Sequence, residues 1–123
     1  MNLRIRLAVL AGIFSMTAAA ANAQSFPTKP VRILTPSSVG SGPDVALRAI
    51  AEQLGKKWGQ PVIVDNRPGG NGFVATGLFK QAKPDGYELI APDSSHIATH
   101  PHTFRKLPYD PQKDFEPIRP ILN

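Results

Sequence analysis

Apolar and polar positions along this chain follow two rhythms, one short and continuous, the other helical. Val31 to Thr35 (VRILT) is an apolar run bracketed by Pro30 and Pro36, which predicts a strand. Over residues 43–58 the apolar positions Ala46, Leu47, Ile50, Ala51 and Leu54 recur at helical spacing, with Arg48, Glu52, Gln53 and Lys56 on the other face. Pro43 suits a first helical turn, Lys56 and Lys57 suit the negative end of the helix dipole, and Gly59 can take a left-handed stop. Residues 61–66 (PVIVDN) predict a second strand, residues 67–72 (RPGGNG) a glycine loop, and residues 73–82 a short helix. A turn at Lys83-Pro84-Asp85-Gly86 leads to a third strand over residues 87–91 (YELIA). The polar loop PDSSH, a helical segment up to Pro101 and an irregular, proline-punctuated remainder follow.

Strand, helix, strand, helix, strand predicts an α/β fold with a parallel sheet and right-handed crossovers. Ligands bind such sheets beyond the carboxyl ends of the strands. That rule puts residues 37–44, 67–72 and 93–96 on one rim. Their Ser, Gly and Asn content suits an anion met by outward-pointing backbone amides.

The first residues read as a targeting segment. Arg4 and Arg6 precede an apolar stretch over residues 7–16, then a small-residue region closing on Ala21-Asn22-Ala23. Residues 1–23 are expected to be a signal peptide cleaved after Ala23, leaving a mature chain from Gln24 that leaves the cytoplasm. The apolar stretch is too short to span a bilayer, which takes about 20 residues. Without the two signal arginines, 12 basic and 9 acidic side chains remain, scattered in small groups. No basic stripe interleaved with aromatics occurs, which argues against a nucleic-acid partner. With no Cys in the chain, thiolate metal sites and a Cys nucleophile are excluded.

Other chemistries fit poorly. Gly40-Ser41-Gly42 before a helix, with Asp65 ending the next strand, imitates a dinucleotide fingerprint, but Val45 stands where the third glycine belongs. His96 and His100 are four apart with His102 close behind, a helical zinc pair on paper. Pro101 is expected to end that helix before His102, and the cluster reads as a solvated surface group. No G-x-S-x-G elbow and no other catalytic constellation is present, so no enzyme, metal or cofactor is expected.

Five segments in order, FPTKPVRILTP from Phe26, the glycine loop ending in Asp44, GQPVIVDNRPGGNG from Gly59, KPDGYELI from Lys83 and LPYDPQKDFEPI from Leu107, resemble a known family. It comprises the Bordetella-uptake-gene (Bug) type receptors, the periplasmic solute-binding components of tripartite tricarboxylate transporters. The resemblance implies a parallel-sheet lobe of a type II periplasmic binding protein fold, with residues 24–123 as the N-terminal part of the first lobe. It implies a receptor that captures a small carboxylate between two lobes and presents it to membrane permease subunits. Carried over by position, ligand contacts fall on Ser37, Ser38, Gly40, Ser41, Gly42 and Asp44 in the first loop, on Asn71 in the second, and on Ser94, Ser95 and His96 in the third. Asp44 is expected to cap and orient the helix start rather than touch an anion. The family's aromatic-proline segment before paired glycines is replaced by SSVGSG. The expectation is a receptor truncated before its second lobe, the alternative an exported α/β domain without a ligand.

Overall fold

A computed structural model describes residues 26–121, so the expected signal peptide lies outside the described residues. The described elements begin with β1 (Val31–Thr35), α1 (Gly42–Trp58) and β2 (Val62–Asn66). A 3-10 turn (Gly70–Gly72), α2 (Phe73–Phe79), β3 (Glu88–Ile90), α3 (Ser95–Ala98) and α4 (His100–Thr103) follow. The three strands form one parallel sheet in the order β2-β1-β3, with Val31 opposite Val62 and Ile33 opposite both Val64 and Leu89.

β1 is central because it is apolar on both faces. Ile33 and Leu34 point to opposite sides of the sheet, and both are buried. The chain steps from β1 to β2 on one side and then across to β3 on the other. Two right-handed crossovers in opposite directions place α1 and α2 on opposite faces, so both side-chain rows of β1 are covered. Leu47 and Ala51 of α1 are buried in this core, as are Ala75 and Thr76 of α2. Complete burial of a side chain such as Leu34 contributes roughly 1.5–3 kcal/mol.

α1 starts one residue before the expected Pro43 and ends on Gly59, whose left-handed φ of 66° lets its amide reach the Gly55 carbonyl. α2 stops at Phe79 rather than Ala82, because Gln81 and Ala82 bond back only three residues, to Leu78 and Phe79. The expected helix up to Pro101 is two short ones, and Pro101 lies in the first turn of the second, so His102 is helical.

The irregular C-terminal segment supplies a second, aromatic core. Tyr109 is buried and packs edge-on against Phe73 and Phe115, while Phe115 stacks on Phe79 with centroids 5.9 Å apart. Lys80 Nζ pins the segment through the Pro108 carbonyl at 3.0 Å and the Asp114 carboxylate at 2.9 Å. Ile118 and Ile121 are exposed.

Candidate functional site

Thr35, at the carboxyl end of the central strand, ties the three loops together. Its hydroxyl donates to the Ala91 carbonyl at 3.2 Å and accepts the Ser37 amide at 3.2 Å. Its carbonyl accepts the Arg67 amide at 2.8 Å. The loops meet again farther out at Gly72. A β-carbon there would stand 1.9 Å from His96 Nε2 and 3.2 Å from Pro36 Cβ, and φ is +80°, so only glycine fits. One residue of the second loop is thus the seat for a side chain of the third and a neighbour of the first.

The first loop is built around the buried carboxylate of Asp44. This group accepts the Gly40 amide at 2.8 Å, Arg48 Nε at 3.0 Å and Asn66 Nδ2 at 2.8 Å. Arg48 also donates to Asn66 Oδ1 at 2.6 Å, and Asn66 Nδ2 donates to the Ser37 carbonyl at 3.0 Å. Donation from Arg48 foremost, then from Asn66 and the Gly40 amide, lowers the Asp44 pKa from 3.8 to about 2. Asp44 does not cap α1 in the usual sense, since Ser41 is the N-cap and bears no side-chain cap bond. The carboxylate instead holds the loop before the helix. Two expected contacts are therefore engaged internally: the Gly40 amide serves Asp44, and the Ser41 hydroxyl donates to the Ser38 carbonyl at 2.7 Å. The amides of Ser38, Val39 and Gly42 have no partner among the described residues, and all three residues are exposed.

In the second loop, residues Gly69 through Gly72 all take positive φ, Asn71 included at 54°. The Asn71 side chain is exposed. Asp65, the acid of the dinucleotide imitation, is bound by Arg67 at 2.8 Å and lies 3.5 Å from Arg32.

The third loop corrects the surface-cluster expectation for the histidines. His96 is 1% exposed and His100 9%, their rings 4.8 Å apart; only His102 lies at the surface. His96 Nδ1 meets Asp93 Oδ1 at 3.1 Å, so Nδ1 carries a proton, while Nε2 is buried against Gly72 without a partner among the described residues. Asp93 Oδ1 also accepts the Ser95 amide at 2.9 Å and the Ser95 hydroxyl. Desolvation raises the Asp93 carboxyl, yet the bonds from Ser95 and His96 outweigh it and hold the group below its ordinary value. His100 joins Ser95 to Tyr109, with Nε2 3.2 Å from Ser95 Oγ and Nδ1 3.1 Å from Tyr109 Oη. Ser94 is exposed, and its amide has no partner among the described residues. Sequence reasoning missed the roles of Arg48, Asn66 and Tyr109, which lie outside the loops they shape, and those of Asp93 and His100 in ordering the third loop.

A cleft of about 380 Å³ opens at the other end of the sheet, lined by Lys29, Arg32, Asp85, Tyr87 and Glu88 among others. Two of its cations are answered from within, Arg32 by Glu88 at 3.0 Å and Lys29 by Asp85 at 3.5 Å. It is remote from the convergent loops.

The family model described as tripartite tricarboxylate transporter family receptor matches residues 46–123. This chain belongs to that family. Its members are periplasmic solute-binding receptors rather than enzymes. A UPF0065 protein of Bordetella bronchiseptica is 41% identical over 110 residues, covering 89% of this chain and 33% of the relative. Protein BugT of Bordetella pertussis is 34% identical over 122 residues, covering 96% of this chain and 37% of BugT. Among solved structures, R. palustris Rpa4515 with adipate superposes with a TM-score of 0.67 at 32% identity, over 71% of this chain and 29% of that one. A periplasmic transporter aligns with a TM-score of 0.64 at 32% identity, over 70% of this chain and 29% of its own. The chain spans about a third of the length of the curated relatives it matches.

Proposed function

We propose that this chain carries the carboxylate-binding rim of a periplasmic receptor that hands its solute to membrane permease subunits of a tripartite tricarboxylate transporter. One observation carries the reading: exposed amides of Ser38, Val39, Gly42 and Ser94 have no acceptor among the described residues, on two loops that converge through Gly72. Amides at the start of α1 bear partial positive charge and suit an anion. Ser37 adjoins the free amides of the first loop, Asn71 is exposed on the second, and the remaining expected residues act by holding the amides: Gly40, Ser41 and Asp44 in the first loop, Ser95 and His96 in the third. Val39, Val74 and Ile97, which adjoin the three loops, are half or more exposed or nearly so, which favours a carboxylate with an apolar body. Adipate has that chemistry and is the ligand of a solved relative.

Residues 1–23 export the chain as a signal peptide cleaved after Ala23. The mass of the protein recovered from the periplasm should correspond to a chain starting at Gln24. The ligand reading is tested by melting the full chain with adipate, hexanoate and citrate. A solute that binds only the folded state at a hundred times its Kd stabilises by about 2.7 kcal/mol. A dose-dependent rise in Tm with adipate is expected; flat melts with all three acids would sink the reading.

A further inference from the structure

We infer that Tyr109 is a positioning residue for the third loop, its phenol setting the proton arrangement of His100 and through it the direction of the Ser95 hydroxyl. The inference deepens the ligand reading above and rests on it. Tyr109 comes from the irregular C-terminal segment, yet it is 4% exposed and its oxygen lies among the loop's own groups. The phenol has one proton, which it donates to the His96 carbonyl at 2.8 Å, thirteen residues back. Burial pushes the phenol above its ordinary value, so that proton stays in place.

With its proton committed, Oη can only accept from His100 Nδ1 at 3.1 Å. Nδ1 therefore carries hydrogen, and in a neutral imidazole Nε2 is left as an acceptor. That acceptor faces Ser95 Oγ at 3.2 Å, while Asp93 Oδ1 bonds the same hydroxyl from the other side. Two acceptors share one hydroxyl proton. Tyr109 keeps the competition open by holding hydrogen on Nδ1. Without the phenol oxygen, Nδ1–H has no acceptor; the ring then carries its proton on Nε2, donates to Ser95, and the hydroxyl turns wholly to Asp93. Phe73 and Phe104 pack edge-on against the His100 ring at 5.5 and 5.1 Å and offer it no alternative partner. One phenol thus holds the backbone of His96 and leaves the Ser95 hydroxyl shared between His100 and Asp93.

The test is a one-bond nitrogen–proton spectrum of the full chain labelled with ¹⁵N-histidine, at about pH 8, above the ordinary imidazole range. His100 is expected to carry hydrogen on Nδ1, to retain it in Ser95→Ala, and to move it to Nε2 in Tyr109→Phe. Hydrogen on Nε2 alone in the parent chain, or an unchanged Nδ1–H in Tyr109→Phe, would overturn the inference. Should Tyr109→Phe fail to fold, the parent and Ser95→Ala spectra still decide, because loss of Nδ1–H in either contradicts the assignment. Adipate binding by Tyr109→Phe is expected to weaken roughly fivefold, the effect of one hydrogen bond. A parent chain that binds no adipate yet shows Nδ1–H would count against the ligand reading and leave the tautomer assignment standing.

Discussion

The first and third loops end at the same rim but are held by opposite means. The first is organised by a charge it contains: Asp44, buried within the loop-helix junction, gathers Gly40, Arg48 and Asn66. The third is organised by its own buried imidazole, His96, and from outside by His100 and a phenol from the C-terminal segment, with Asp93 more than half exposed at its edge. The first loop's order therefore rests on a buried carboxylate, and the third loop's on the packing of His96, His100 and Tyr109 beside a carboxylate that is largely exposed.

The largest expected effect removes the point the loops share. Gly72→Ala drives a methyl into His96 and Pro36 at a left-handed φ, so it should cost roughly 3 kcal/mol or more and abolish a cooperative melt. Next, Asp44→Asn should lower Tm by several degrees at neutral pH. Because Asp44 is depressed from 3.8 to about 2, its contribution is fully present above its unfolded value and is lost as pH falls through about 2. The variant lacks that contribution, so its Tm should fall less than the parent's between about pH 4 and pH 2. Tyr109→Phe should destabilise by about 1–2 kcal/mol and leave the acid limb unchanged, which separates the two loops. Smallest is Lys56→Ala on the exposed face of α1, where the ion pair to Glu52 is solvated and Tm should stay within about one degree.

Most of the scaffold was legible in the residues. β1 has its expected bounds, and α1 and β2 each differ by one residue, because apolar period and proline or glycine punctuation act locally. β3 starts one residue later than expected because the Tyr87 amide turns back to the Asp85 carboxylate, and it also ends one residue early, at Ile90. The three-loop rim also followed from the alternation of strand and helix. The burial of His96 and His100 did not, since their partners lie in a segment with no periodicity and the contact depends on the missing side chain of Gly72. Nor could the sequence show which amides are free. Gly40 and Ser38 look alike in SSVGSG, and only the position of Asp44 decides that Gly40 is taken.

On the proposed function, the amides left free on the converging loops hold a carboxylate. Backbone amide spectra of the ¹⁵N-labelled full chain, titrated with adipate, test it most directly. Saturable shifts at Ser38, Val39, Gly42 and Ser94, with Gly40 moving little because Asp44 already fills it, are the predicted result. Shifts confined to the cleft around Lys29 and Arg32, or no saturable shift at all, would contradict it.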